Sequence, residues 1–171
     1  GVIYKNLGLE RITAAIIDLK DVRLMIVGRI GDKELFDEII KLPNIEYKGI
    51  LERNESLALE AGADVMVVLY NLNYPKNRLS SPNKVFEALM CGIPLITNME
   101  QDLVNNEVEC GIVVDYDDLK QIREAVICLR DNPDLRRTMG QNGRKAFEEK
   151  YNWHRMEQKL FEIYDRLIKE S

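Results

Sequence analysis

Apolar residues recur along this 171-residue chain with two different spacings. Stripes with a period of about 3.6 residues predict amphipathic helices, and short runs of consecutive apolar residues predict strands covered on both faces. The longest such run spans residues 65–70 and predicts a parallel strand covered on both faces. The predicted order is helix 9–19, strand 22–27, helix 32–41, strand 44–48, helix 54–61, strand 64–70, helix 83–91, strand 93–97, a short helix, strand 111–115 and a helical C-terminal region.

This alternation predicts an α/β fold, with a Rossmann-like parallel sheet, helices on both faces and a helical C-terminal tail in one domain over residues 1–171. The composition, 46% apolar and 31% charged, is that of an ordinary globular domain. Residues 1–8 provide a glycine turn where such a fold should open with a strand, so we expect a truncated first strand. Ligands of parallel sheets bind beyond the carboxyl ends of the strands, which directs attention to the loops at 28–31, 49–52, 71–82 and 97–102.

Several classes of chemistry do not fit the composition. A net charge of −5 gives no reason to expect nucleic-acid binding, and three cysteines without metal-ligand spacing indicate reduced thiols of a cytoplasmic protein. The single histidine, His154, argues against a Ser-His-Asp hydrolase and a His-rich metal centre. Asp115, Asp117 and Asp118 precede a predicted helix, where negative charge is favourable without a metal. We therefore expect no metal and no cofactor.

The loop after the strand at 64–70 is the most informative segment. Residues 65–86 contain no carboxylate, although the chain has 29. Their cations and helix-start residues are Lys76, Arg78, Ser80, Ser81, Pro82, Asn83 and Lys84. Serine and asparagine are common helix caps, proline is favoured in the first turn, and a helix N-terminus attracts anions. The pattern fits a phosphate or diphosphate site, and it equally fits a helix cap beside a solvated basic loop.

The letters SPNKVFEALMCGIPLI at residues 81–96 resemble the signature of retaining GT-B glycosyltransferases of family 4, also called group 1. Shorter resemblances occur in the same order along the rest of the chain. They are Lys5 beside the first turn, VGR at 27–29, YKGIL at 47–51, ADV at 63–65 and the segment 147–153. The resemblance covers essentially the whole chain and implies the C-terminal, donor-binding half of a GT-B enzyme.

The resemblance also implies what each segment binds. The donor is a nucleoside-diphosphate sugar, transferred to an acceptor with retention and without a metal. The N-terminal, acceptor-binding half lies outside this chain, together with unknown catalytic residues, so this half alone is expected to be inactive. Glu87 is implied to accept hydrogen bonds from the ribose, which suits a carboxylate because it is acceptor-only. The implied diphosphate-binding residues are Lys5, Ser80, Ser81, Pro82, Asn83 and Lys84, and those near the base are Gly28, Arg29, Ile50 and Leu51.

The sequence departs from the family pattern at two places. Leu79 stands eight residues before Glu87, where the family has a second glutamate, and residues 97–102 replace a Gly-Gly loop. The base, donor sugar, acceptor and oligomeric state therefore stay open.

Two other interpretations of the sequence also stay open. One is half of a nucleotide-sugar epimerase, for which the chain offers few acid/base groups; the other is a non-catalytic α/β binding or regulatory module. Acidic net charge does not favour membrane contact, although many relatives work at the inner membrane face.

Overall fold

The computed structural model describes residues 1–169. Within them, α-helices and parallel strands alternate, which confirms the predicted Rossmann-like α/β fold. The elements are β1 (Val2–Ile3), α1 (Leu9–Ile16), β2 (Leu24–Ile26), β3 (Arg29–Ile30), α2 (Lys33–Ile39), β4 (Ile45–Tyr47), α3 (Arg53–Ala61), β5 (Met66–Val68), α4 (Pro75–Arg78), α5 (Asn83–Cys91), β6 (Leu95–Thr97), a π-helical segment (Asp102–Glu107), β7 (Gly111–Val113), α6 (Leu119–Asp131), α7 (Pro133–Glu149) and α8 (Trp153–Lys169).

Helices cover both faces of the sheet formed by β5, β6 and β7. Successive strand residues point to opposite faces, and β6 shows this directly. Ile96 packs with α1 and α6, whereas Leu95 packs with α5 and the inner side of α7. A third apolar cluster joins α2 to β2 and β4. These cores hold the strand ends in place, and the loops that follow the strands all lie at one edge.

The strands do not form one continuous sheet. They pair as β1–β3, β2–β4 and β5–β6–β7, and no strand described within residues 1–169 lies between the facing edges of β2 and β5. A cavity of about 730 Å³ occupies this gap and is lined mainly by apolar side chains of both edges. Met66 and Val67 are only half-buried, although helices cover both faces of this strand as predicted, because β5 has no paired strand at this edge among residues 1–169. Its sequence is apolar enough for a central strand, but one neighbour is lacking.

Residues 1–8 lie across the carboxyl ends of the two separated sheets. The Arg29 amide donates to the Gly1 carbonyl at 3.0 Å, while the Gly28 amide donates to the Gly49 carbonyl at 2.9 Å on the other side. Gly28 has a φ of 140°, and a Cβ there would lie 2.3 Å from the Gly1 oxygen. A Cβ on Gly8 would lie 2.3 Å from the Leu69 Cβ. Glycine is required at both positions because backbone and side chains approach so closely.

The C-terminal region is helical, as predicted, but its last helix packs little. None of the described residues of α8 is buried. The predicted apolar stripe at Met156, Leu160, Ile163 and Leu167 therefore faces outward along an exposed helix. None of the helices described between residues 1 and 169 combines the length and apolar character that crossing a bilayer requires.

Candidate functional site at the carboxyl edge of the strands

Two loops that the sequence assigned to the donor diphosphate are held together by asparagines. The Asn6 carbonyl accepts from the Asn71 amide at 3.0 Å, and the two side chains are hydrogen-bonded at 3.1 Å. The buried Asn77 donates to the Asn71 carbonyl at 2.9 Å. The loop carrying Lys5 and the loop leading to Ser80 are thus neighbours. The sequence analysis did not identify these asparagines. The one indication of their role was the high frequency of asparagine in residues 71–77.

The two turns expected near the base also lie side by side. The Gly28–Gly49 hydrogen bond joins them, and the Tyr47 hydroxyl donates to the Gly28 carbonyl at 2.7 Å. Arg29 and Ile50 are exposed next to this junction, and Leu51 is half-buried. These hydrogen bonds fix the backbone of the two turns, and the side chains at the positions assigned to the base are accessible beside it.

The start of α5 differs from the expected serine cap. Pro82 occupies the N-cap position, and no side chain in the described residues caps this helix end. The Ser80 hydroxyl instead donates to the Lys76 carbonyl at 2.9 Å, and the Ser81 hydroxyl donates to Glu100 at 2.7 Å. Proline has no side-chain acceptor, so the backbone amides of the first turn, from Asn83 onward, are not capped by a side chain. The expectation of a Ser cap is wrong, whereas the predicted helix bounds are confirmed.

Lys84 and Glu87 contact each other and a second carboxylate. Lys84 Nζ lies 2.8 Å from Glu87 Oε2 and 2.5 Å from Glu60 Oε1, and Arg53 Nη1 lies 3.5 Å from Glu87 Oε1. Both glutamate side chains are 13% exposed. Burial lowers the pKa of Lys84, but hydrogen bonds to the two carboxylates outweigh it, and the net pKa is raised. Lys84 thus bridges α3 and α5 as a stable cation.

The charges counted along the sequence do not describe the electrostatics of the folded protein at the carboxyl edge of the strands. Carboxylates from other elements reach the stretch that itself contains none. Glu34 pairs with Lys5 at 3.2 Å, Glu60 pairs with Lys84, and Glu100 accepts from Ser81. Lys5 and Lys84, the two cations assigned to the diphosphate, therefore already have anionic partners.

A cavity of about 350 Å³ opens at the ends of β5, β6 and β7. Asn71, Asn98, Gln101, Asp115 and Asp117 line it with carboxamides and carboxylates. Such a lining offers donors and acceptors to a hydroxyl-rich ligand. Within residues 1–169, no group of three or more His, Cys, Asp and Glu side chains could hold a metal ion.

Leu79 lies between α4 and the start of α5. Its side chain is apolar and the residue is 91% exposed. It offers no hydrogen bond at the place where the family pattern has a glutamate. A donor sugar bound beside α5 would have to be recognised by other groups.

Comparison with solved structures defines the class of this fold. Sucrose-phosphate synthase from Thermosynechococcus elongatus superposes with a TM-score of 0.80 at 20% identity, covering 98% of this chain and 44% of that one. Anabaena Alr3699/HepE, solved in complex with UDP, superposes with a TM-score of 0.79 at 16% identity over 97% of this chain and 47% of that one. The fold is one half of the GT-B glycosyltransferase architecture.

The sequence comparison places the chain within a family. Residues 8–162 match the family described as glycosyl transferase-like, and the chain belongs to that family. The capsular polysaccharide biosynthesis glycosyltransferase CapM of Staphylococcus aureus is 27% identical over 180 residues, which cover all of this chain and 46% of CapM. The chain spans about half the length of the curated relatives it matches over its whole extent. The resemblance stated from the sequence is confirmed.

Proposed function

We propose that this chain is the donor-binding half of a retaining glycosyltransferase that uses a nucleoside-diphosphate sugar. The observation that carries the proposal is the meeting of three segments at one edge. Arg53, two residues after the turn assigned to the base, lies 3.5 Å from Glu87, the residue assigned to the ribose. Glu87 in turn lies one turn beyond the uncapped start of α5. The segments assigned to the base, the ribose and the diphosphate are therefore neighbours in the order in which these groups are joined in a nucleotide.

The diphosphate is assigned to the N-terminus of α5. Backbone amides and the helix dipole attract negative charge there, and they also stabilise the charge that develops on a leaving diphosphate. Ser80, Ser81 and Asn83 supply polar groups next to those amides, Pro82 fixes the entry of the chain, and Lys5 approaches from the adjoining loop. No metal is required in this arrangement.

Glu87 is assigned to the ribose. A carboxylate that is largely buried and oriented by Arg53 accepts hydrogen bonds from two vicinal hydroxyls without offering a competing donor. CapM acts in polysaccharide biosynthesis and Anabaena HepE was solved with UDP, and both agree with a sugar-nucleotide site in this chain.

The complete protein is proposed to contain an N-terminal half that binds the acceptor and carries the remaining catalytic groups. A further parallel strand is proposed to fill the gap between β2 and β5, because both edges are unpaired and the cavity between them is apolar. We assign the complete protein to the cytoplasm and expect no transfer by residues 1–171 alone.

The proposal is tested by calorimetric titration of the full-length protein with UDP, GDP and ADP, with and without EDTA. One nucleotide should bind, and EDTA should not abolish its binding. Glu87→Gln should weaken that nucleotide about tenfold or more, since a charge-assisted hydrogen bond contributes ~1.5–3 kcal/mol. The 2′,3′-dideoxy analogue should bind both proteins alike.

Glu124→Gln provides the matched control, because Glu124 forms an exposed ion pair with Lys120 on α6. Its nucleotide affinity should equal that of the wild type. Absence of binding by all three nucleotides would refute the donor site, and equal affinities for wild type and Glu87→Gln would refute the ribose assignment.

A further inference from the structure

We propose that Lys84 and Glu60 are positioning residues for Glu87, and that Lys84 does not contact the diphosphate. This inference rests on the proposed nucleotide site. It changes the role that the family resemblance implied for Lys84, and it gives Glu60, on a different helix, a role that the sequence did not indicate.

The contacts of Lys84 direct its ammonium group away from a diphosphate ligand. Its nitrogen donates to Glu60 Oε1 at 2.5 Å and forms an ion pair with Glu87 Oε2 at 2.8 Å, so both carboxylates contact the ammonium group. Both carboxylates are largely buried, and the Glu60 carboxylate also accepts from the Ser56 hydroxyl at 3.1 Å. A lysine held between two buried acids is far less available than an exposed one.

Glu87 needs this cation for a specific reason. One nitrogen contacts both acids, so the two carboxylates lie close together in a poorly solvated place. Like charges in such a place repel each other, so each carboxylate tends to move away from the other. Lys84 contacts both carboxylates and compensates that repulsion, which holds Glu87 in the position from which it accepts hydrogen bonds from ribose hydroxyls.

Glu60 completes the arrangement from α3. It contacts Lys84 at 2.5 Å, and its second oxygen is buried without a hydrogen-bond partner among the described residues. Without Glu60, a positioning Lys84 loses one of its two carboxylate contacts and holds Glu87 less firmly, whereas a Lys84 that served the diphosphate would be released to bind it more tightly. The two readings of Lys84 therefore predict opposite effects of neutralising Glu60.

The test compares ribonucleotide and 2′,3′-dideoxynucleotide affinities of the full-length protein by calorimetry, using the diphosphate that binds the wild type. Lys84→Met should weaken the ribonucleotide about as much as Glu87→Gln does and leave the dideoxynucleotide unchanged. Glu60→Gln should also weaken only the ribonucleotide. The double variant Lys84→Met/Glu60→Gln should bind it more tightly than Lys84→Met alone, because the repulsion is gone.

Lys120→Met is the matched control, since Lys120 is a helix lysine in an exposed pair with Glu124, and its affinities should not change. Equal weakening of both nucleotides by Lys84→Met, or tighter binding by Glu60→Gln, would show that Lys84 contacts the diphosphate and would overturn the inference. In that outcome the nucleotide site itself would stand, whereas a wild type that binds no nucleotide would refute the proposed function instead.

Discussion

Replacing Asn98 by alanine should destabilise the protein at the edge where the candidate site lies. Asn98 follows β6, and its side chain takes over the pairing with the chain that continues β5. It accepts from the Tyr70 amide at 2.9 Å and donates to the Tyr70 carbonyl at 2.8 Å. The residue is 5% exposed, so water cannot easily replace it. Each hydrogen bond contributes ~1 kcal/mol net, giving a loss of about 2 kcal/mol.

For a chain of this size, about 2 kcal/mol corresponds to a fall in Tm of roughly 4–8 °C. Urea unfolding and thermal unfolding of wild type and Asn98→Ala measure the two quantities. Asn106→Ala is the control, because Asn106 is exposed and makes one 3.2 Å hydrogen bond to Asp102. It should change the unfolding free energy by less than about 0.5 kcal/mol. An equally small effect of Asn98→Ala would refute the argument that these two bonds hold the loop.

Two further expectations concern packing and the gap in the sheet. Gly140→Ala should lower the free energy of unfolding by ~1–3 kcal/mol despite a better helix propensity, since the new Cβ would lie 2.1 Å from the carbonyl oxygen that ends α5. Gly62→Ala is the control and should change the free energy of unfolding little, because its Cβ would have no neighbour closer than 3.7 Å. A stabilising effect of Gly140→Ala would contradict the close approach of the two backbones. In the full-length protein, the backbone amides of Met25 and Val67, which face the gap, should exchange with deuterium as slowly as the amides that pair with β4 and β6. Fast exchange at these two positions would refute a strand between β2 and β5.

The helices and the order of elements could be predicted because they depend on local patterns of apolar and polar residues. The predicted helix at residues 83–91 has the bounds of α5, and α3 begins one residue before its predicted start. Strand ends were predicted one or two residues too long, since a strand ends where its partner's hydrogen bonds stop. A truncated first strand was expected from the sequence, but its place beside β5 was not, because an apolar run indicates burial and does not specify which neighbours provide it.

The convergence of the loops was predictable from the sequence, whereas the electrostatics around them were not. Parallel strands place their carboxyl ends at one edge, so the loops that follow them were expected to converge. Charge, however, was counted along the segment 65–86. Glu34, Glu60 and Glu100 come from three other elements and reach the site only in the folded chain. A window of sequence cannot show which distant acids will pair with its lysines.

These pairs differ in how readily an incoming diphosphate replaces them. Lys5 and Glu34 are both exposed, and an exposed ion pair contributes little to stability, so Lys5 exchanges its partner at little cost. Lys84 lies between two largely buried carboxylates, and removing it would leave both uncompensated. The Ser81–Glu100 hydrogen bond is exposed and lies at the helix start. Under the proposed function, a diphosphate would displace Glu100 and take over the Ser81 hydroxyl. Selectivity for the anion would then come from Lys5 and the α5 amides, whereas the Lys84 cluster would hold Glu87 before the nucleotide arrives.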